Sequence, residues 1–189
     1  MVLPGVDLTL RPGSITAIQG ESGIGKTTLL NILAGLVSPS CGHITGLEGR
    51  RVSMVFQEDR LLEWETALGN VLFVAGAKQE AKARALLTQV GLGDSVDKKA
   101  AHLSGGMKRR VAICRALMVP YRLLILDEPF KGLDESTRLQ TIATVKAHLP
   151  EGAAVVYATH DMGDTFANDT VTLSRLKTGD VPQTTQTKS

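Results

Sequence analysis

Aromatic residues are scarce in this chain of 189 residues, which has four Phe, two Tyr and one Trp, and none of them precedes Phe56. Cysteine is also rare. Cys41 and Cys114 form no CxxC pair, which is typical of a reduced compartment and argues against a disulfide scaffold. No apolar run approaches the roughly 20 residues that span a bilayer, and no basic leader precedes an apolar block. We therefore expect neither a signal peptide nor a membrane span.

The chain also lacks a large excess of charge of either sign. Its formal net charge is +2, so composition predicts no nucleic-acid partner and no acidic membrane surface as a partner. The basic triplet Lys108–Arg110 is predicted to be the solvated face of a helix, not a nucleic-acid patch. A hydrophobic content of 43% and a length that suits one domain indicate a globular protein with a real core.

Strand-like and helix-like segments alternate along the chain, which predicts an α/β fold with a mostly parallel sheet. Buried strands are predicted where continuous apolar runs occur, at residues 14–19, 51–56, 122–127 and 153–159. From about residue 59 to 117 only helical patterns occur. A further helix is predicted after Asp134, its N-cap, with Leu139 on its apolar stripe. We expect one domain over residues 1–189, with a core of 1–58 and 118–189 and an inserted α-helical subdomain of 59–117.

The stretch "GESGIGKTT" lies between a predicted strand and a predicted helix, and it matches G-x-x-x-x-G-K-[ST]. Glycines let successive backbone N–H groups surround phosphate oxygens, and the helix start directs its dipole at the same anion. Lys26 supplies a cation for the β- and γ-phosphates, and the Thr27 hydroxyl can ligate Mg²⁺. By itself the loop leaves kinase, GTPase, ATPase and motor open. The predicted nucleotide-binding residues here are Gly20, Glu21, Ser22, Gly23, Ile24, Gly25, Lys26, Thr27 and Thr28.

The apolar run "LLILDEP" ends in two adjacent acids, Asp127 and Glu128. Buried strands rarely end this way unless a cation binds there. Asp127 is placed to hold Mg²⁺, directly or through water, and Glu128 to orient an attacking water or accept its proton. The alternative is a solvated strand end. A hydrolase has a use for the second acid, whereas a phosphate-loop kinase has no clear one.

The segment "LSGGMKRRVAICRAL", which begins at Leu103, resembles the signature motif of ATP-binding cassette (ABC) proteins. The other motifs of that family follow in the expected order and cover nearly the whole chain. They are Gly20–Thr28 (Walker A), Gln57 in "VFQEDRLLEW" (Q-loop), "LLILDEP" (Walker B), Asp134 in "FKGLD" (D-loop) and His160 in "YATHD" (switch histidine). "FQEDRLLEW", "LSGGM" and "DEPFKGLD" are most similar to the nitrate/sulfonate/taurine branch of importer ATPases.

The resemblance implies a P-loop NTPase core, ATP and Mg²⁺ as cofactors, and a homodimer that forms on ATP binding. Ser104, Gly105 and Gly106 at a predicted helix start would complete the nucleotide site of a second copy, with Asp134 nearby. The "SGG" sequence alone would be read as a simple helix cap. The implied catalytic residues are Glu128, His160 and Gln57, and the implied metal ligands are Thr27, Gln57 and Asp127.

The resemblance further implies an ATP-hydrolysing subunit of an import system, peripheral on the cytoplasmic face of the membrane. Its partners would be a membrane permease and a periplasmic or extracellular solute-binding protein. Trp64, the only Trp, is a candidate anchor for the permease; the alternative is that it packs within the helical segment. A soluble ABC ATPase of DNA repair or translation and a phosphate-loop kinase are the rival functions.

The N-terminal part departs from the family pattern. Family members usually carry an aromatic residue that stacks on adenine upstream of the first strands, and here no aromatic precedes Phe56. We therefore expect an abbreviated N-terminal β-layer, weak nucleotide affinity and poor discrimination of ATP from GTP, because base stacking is worth roughly 1–3 kcal/mol.

Overall fold

A sheet of six strands organises the part of the chain that the computed structural model describes, which is residues 5–47, 49, 51–160, 166–173 and 185–188. The strands are Ile15–Gln19 (β1), Val52–Val55 (β2), Leu123–Asp127 (β3), Ala154–Ala158 (β4), Asp169–Thr172 (β5) and Thr185–Lys188 (β6). Their order across the sheet is β2-β3-β4-β1-β5-β6. Every neighbouring pair is parallel except β5 and β6. The predicted α/β class with a mostly parallel sheet is confirmed.

The central strands form because their residues are apolar without interruption. All five residues of β1, of β3 and of β4 are buried, as expected when helices or loops cover both faces of a parallel sheet. In the register, Ala158 of β4 lies beside Ile18 of β1 on one side and Asp127 of β3 on the other. The carboxyl ends of these three strands are therefore level.

Five α-helices accompany the sheet in the described residues. They are Lys26–Leu33 (α1), Ala67–Ala75 (α2), Glu80–Gln89 (α3), Gly105–Leu117 (α4) and Glu135–Ala147 (α5), with short 3₁₀ turns at Ala77–Gln79, Gly93–Ser95 and Ala100–His102. Leu29 and Leu30 of α1 are buried in one cluster with Ile125 and Val156 of the sheet. None of the described helices combines the length and the apolar composition that crossing a bilayer requires.

The chain divides into two compact units. The first contains the described residues of Met1–Gln57, Tyr121–Glu128 and Pro150–Ser189, and the second consists of Glu58–Pro120 and Pro129–Leu149. Residues 118–120 and 129–149, the latter with α5, belong to the second unit, whereas the predicted core includes all of 118–149. The boundaries between the core and the helical subdomain, after residues 58 and 117, stay a prediction.

The second unit is helical, and a polar residue organises its first segment. Thr66 caps α2, its Oγ1 accepting a hydrogen bond of 2.8 Å from the Gly69 amide. The buried Asn70 side chain binds the backbone of Leu62 twice, accepting from its amide (2.8 Å) and donating to its carbonyl (3.0 Å). These bonds give the loop before α2 a defined conformation.

In the first unit, β1 is the only strand among described residues 5–47 and 49. Residues Val6, Leu8 and Leu10 are partly buried against the core without forming a strand. This is the arrangement that the expected abbreviated N-terminal β-layer requires.

Candidate functional site

The glycine loop turns sharply between β1 and α1. Gly20, Gly23 and Gly25 have φ angles of 150°, 78° and 114°, which L side chains rarely adopt. A Cβ on Gly20 would lie only 2.8 Å from the Leu173 carbonyl oxygen, so a side chain is excluded there. Gly25, in the left-handed region, directly precedes α1. Such a turn before a helix is the geometry from which backbone N–H groups surround an anion.

Lys26 folds back over this loop. Its ammonium Nζ donates to the carbonyl oxygens of Gly20 (2.6 Å) and Glu21 (3.1 Å), and the residue is only 7% exposed. Ser22, Thr27 and Thr28 are exposed, whereas Ile24 is buried and anchors the loop in the core. The loop therefore holds a cation at its centre, with hydroxyl groups facing solvent.

The sheet brings the other predicted residues of the first unit to the same edge. Gln57 follows β2 by two residues, Asp127 ends β3, Glu128 comes next, and His160 follows β4 by two residues. Because β2, β3, β4 and β1 are adjacent and parallel, their carboxyl ends share one edge with the glycine loop. The structure thus gathers a phosphate-binding turn, two carboxylates, an imidazole and an amide.

Glu128 has an unusual backbone conformation. Its φ of 48° is left-handed, which costs a non-glycine residue roughly 1–2 kcal/mol. Its amide donates to the Ala158 carbonyl at 3.1 Å, and its Oε1 lies 3.6 Å from Nδ1 of His160. The Glu128 side chain is 16% exposed and that of His160 is 63% exposed. The turn therefore holds a largely buried carboxylate beside an imidazole that solvent or a ligand can reach.

The donors at this edge fit Mg²⁺. No three His, Cys, Asp or Glu side chains converge as a metal site among the described residues. Mg²⁺ commonly uses one or two protein oxygens and takes its other ligands from water and phosphate. The Asp127 carboxylate, buried at the end of β3, and the Thr27 hydroxyl on the first turn of α1 supply such oxygens. Gln57 adds an exposed amide oxygen.

The signature residues lie in the second unit, at the start of α4. The Ser104 Oγ accepts from the Met107 amide at 3.3 Å, so Ser104 is the helix cap. Ser104 and Gly105 are exposed, while a Cβ on Gly106 would lie 3.1 Å from Cδ2 of Leu133. This exposed helix start has N–H groups without partners inside the helix, which suits an anion.

Asp134, also in the second unit, caps α5 as predicted. Its Oδ1 accepts from the Thr137 amide (3.0 Å) and from the Ser136 hydroxyl (2.7 Å). These hydrogen bonds, that of Thr137 foremost, hold the pKa of Asp134 well below its usual range. The carboxylate is exposed and stays charged.

The prediction that Lys108–Arg110 forms a solvated helix face is wrong for Arg109, whose side chain is 8% exposed. Its Nε lies 3.1 Å from Oδ1 of Asp59, a pair that sequence reasoning missed. Burial raises the pKa of Asp59 even though Arg109 lowers it. The available signal was the position of Arg109 on one helix face with Ile113 and Ala116, both buried.

Trp64 does not pack inside the helical segment, because it is 69% exposed. It lies in the loop that Asn70 holds, two residues before the cap of α2. Of the two expectations for this residue, the structure supports an accessible side chain.

Comparison with known proteins identifies the family. Residues 3–131 match the family described as ABC transporter. The chain belongs to this family. This ABC transporter chain is 46% identical over 152 residues to the taurine import ATP-binding protein TauB of Pseudomonas putida, covering 74% of the chain and 58% of that relative. It is 43% identical over 169 residues to the aliphatic sulfonates import ATP-binding protein SsuB 1 of Frankia alni, covering 87% and 61%.

Solved structures agree with the family assignment. The dimeric structure of MJ0796, a bacterial ABC transporter cassette, superposes with a TM-score of 0.82 at 28% identity, covering 97% of this chain and 90% of that one. A dimeric post-hydrolysis state of the same cassette, bound to ADP and Pi, gives a TM-score of 0.81. The resemblance to the sulfonate/taurine importer branch is confirmed, although the chain spans only about three fifths of the length of these importer relatives.

Proposed function

We propose that this ABC transporter chain is the ATP-binding and ATP-hydrolysing subunit of an import system. One observation carries the proposal: the glycine loop with Lys26 folded over it shares a sheet edge with Asp127, Glu128 and His160. The relatives named for taurine and aliphatic sulfonate import support the transport role.

The loop would bind the triphosphate of ATP through its backbone N–H groups and the start of α1. Lys26 now donates to the carbonyls of Gly20 and Glu21, and it would exchange these bonds for charge-assisted bonds to phosphate oxygens. Thr27, Asp127 and Gln57 would hold Mg²⁺, which neutralises charge on the phosphates.

Hydrolysis would depend on the pair at the ends of β3 and β4. The Glu128 carboxylate would orient a water molecule and accept its proton. His160, 3.6 Å from Glu128 and largely exposed, would donate a hydrogen bond to the terminal phosphate as charge develops there. The left-handed turn at Glu128 fixes the carboxylate before substrate arrives.

A second copy would complete the site. Ser104, Gly105 and Gly106 form an exposed helix start in the unit that does not contain the glycine loop. In a two-fold dimer, each signature would bind the nucleotide held by the other copy, with Asp134 beside it. The dimeric form of the similar cassette MJ0796 supports this arrangement.

The remaining partners would lie at the membrane. A permease subunit would cross it, the present chain would bind its cytoplasmic face, and a solute-binding protein would deliver cargo outside. Trp64 supplies an exposed aromatic side chain of the kind that dominates binding at interfaces.

The Glu128→Gln variant tests the proposal. It keeps the shape of the side chain but removes the base, so we expect Mg-ATP binding within about twofold of the native chain and turnover at least about 10²-fold lower. If the native chain releases phosphate from ATP and no phosphorylated acceptor forms, the chain is not a kinase. Lys26→Ala is the control, because it should lose ATP binding itself.

Mg-ATP should also convert the Glu128→Gln chain to a dimer in analytical ultracentrifugation. Wild-type phosphate release from Glu128→Gln would remove Glu128 from its role. A chain that stays monomeric with Mg-ATP, alone and with its permease, would overturn the shared nucleotide site.

A further inference from the structure

Three consecutive basic side chains connect the first turns of α4 to two other parts of the second unit, the segment 59–64 and the end of α3. Lys108 Nζ pairs with Glu63 Oε1 at 3.0 Å, and Arg109 Nε with Asp59 Oδ1 at 3.1 Å. Arg110 Nη1 donates to the Val90 carbonyl at the end of α3 at 2.7 Å. Successive residues of an α-helix are about 100° apart, so the attachments span about 200° of its circumference. They restrict both rotation and tilt of α4.

The pair formed by Arg109 and Asp59 is largely enclosed. The two side chains are 8% and 19% exposed, whereas Glu63 is 52% exposed. Arg115, further along α4, donates to the carbonyl of Asp59 (2.9 Å) and to that of Arg60 (2.8 Å). α4 thus contacts both the side chain of Asp59 and the backbone of Asp59 and Arg60.

The signature residues lie at the start of this helix. The Lys108 amide donates to the Ser104 carbonyl at 2.9 Å, one helical turn earlier, and Arg110 Nε donates to the Gly106 carbonyl at 3.2 Å. The direction of the Ser104 Oγ therefore follows the orientation of α4. Asp59, for its part, belongs to the segment that leads to the exposed Trp64.

We propose that Asp59 and Arg109 are positioning residues, whose ion pair holds α4 in the orientation in which Ser104–Gly106 bind the ATP of a second copy. This inference rests on the proposed function. Stability alone does not explain the pair, because neutral side chains that fill the same space are often as stable as a buried ion pair.

The test uses the full chain with Glu128→Gln as the parent, and adds Arg109→Met, Asp59→Asn, or both. Arg109→Met alone leaves an enclosed carboxylate without this cation and should lower the Tm by about 4 °C or more. The double variant removes both charges and should recover most of that loss. Arg84→Met is the control, since it breaks exposed pairs with Glu80 and Asp97 in the same unit.

The deciding measurement is Mg-ATP-dependent dimerisation at about 10 °C, with folding checked by circular dichroism. We expect the double variant to dimerise at least about tenfold more weakly than the parent, with Mg-ATP binding by the monomer within about twofold of the parent. The control should dimerise like the parent. Arg109→Lys, which keeps the charge, should dimerise with an affinity between those of the parent and of Arg109→Met.

A double variant that dimerises as tightly as the parent would overturn the positioning role and leave the proposed function standing. A parent that forms no dimer with Mg-ATP would overturn the proposed function and this inference together. If the control dimerises as weakly as the double variant, the inference is also overturned, because the loss of any ion pair in this unit would then weaken dimerisation.

Discussion

At the scale of single residues, reactive side chains occupy positions where the backbone, not the side chain, determines placement. Glu128 is held by a left-handed turn and by its amide bond to Ala158, and Lys26 by being the first residue of α1. Each follows a buried strand directly or through the glycine loop. The ends of the buried strands therefore position these two polar groups at one edge of the sheet.

Asp134 makes a pH-dependent contribution to folding. Its pKa in the folded chain lies below the usual aspartate value of 3.8, so its stabilisation is present above that value and is lost as pH falls through the folded pKa. We expect the Tm of the native chain to exceed that of Asp134→Asn by a constant amount from about pH 7 to 5. The difference should shrink below about pH 3.8.

Thermal unfolding followed by circular dichroism at several pH values measures this difference. Ser136→Ala is the control, because it removes the hydroxyl donor but leaves the Thr137 amide, so most of the pH dependence should persist. A difference between native and Asp134→Asn that stays unchanged down to about pH 3 would contradict the capping argument.

The residues of the nucleotide edge could be predicted because each belongs to a short contiguous motif with a chemical reason for its order. The pair of Asp59 and Arg109 could not, since fifty positions separate the two along the chain. The sequence indicates which helix face Arg109 occupies, but not which segment lies against that face. Long-range pairing of charges depends on tertiary packing that a local pattern does not encode.

At the scale of elements, helix caps carry much of the local specification. α2, α4 and α5 each begin at a side chain that accepts a backbone N–H: Thr66, Ser104 and Asp134. α1 and α3 lack such a cap, because Gly25 precedes α1 and the side chain of Gln79 before α3 makes no capping hydrogen bond. At α1, the phosphate that we propose binds there would satisfy the first N–H groups of the helix.

Thr66 tests the capping of α2. Thr66→Ala removes the oxygen that accepts from the Gly69 amide, so we expect the free energy of unfolding to fall by about 1 kcal/mol. Thr66→Ser keeps the hydroxyl and should stay close to the native value. Urea unfolding of the three proteins at one pH measures the difference. Equal losses in both variants would show that the methyl group of Thr66, not its hydroxyl, stabilises this helix start.

Strands β1 to β4, helices α1 and α5 and the helical character of residues 59–117 follow from hydrophobic runs and helical spacing, but two features do not. β5 and β6 are short, and Thr170, Thr172, Thr185 and Thr187 make them too polar to register as apolar runs. β6 exists through its antiparallel pairing with β5. Leu139, expected on an apolar stripe of α5, is 50% exposed. Leu139 therefore lies beside the packed face of α5, not on it.

At the scale of the whole molecule, the chain forms two units, and sequence order does not reveal membership. α5 follows the strand β3 but belongs to the helical unit, where Thr144 donates a hydrogen bond to the Gln89 carbonyl at the end of α3. A sequence pattern places helices along the chain, whereas unit membership depends on which faces meet. The glycine loop and the signature belong to different units, so ATP binding in the proposed dimer of two copies would engage all four units at once.

The proposed docking to a permease can be tested at Trp64. Because Trp64 is exposed, Trp64→Ala should change the free energy of unfolding by no more than about 0.5 kcal/mol. A buried aromatic anchor at an interface costs about 2 kcal/mol or more when truncated, so we expect at least about tenfold less membrane protein to co-purify with the tagged variant from native membranes. Leu139→Ala, an exposed apolar residue of the same unit, should co-purify the permease normally. ATP binding by both variants should match that of the native chain. If Trp64→Ala co-purifies as much membrane protein as the native chain, or if Leu139→Ala loses as much as Trp64→Ala, Trp64 is not the anchor.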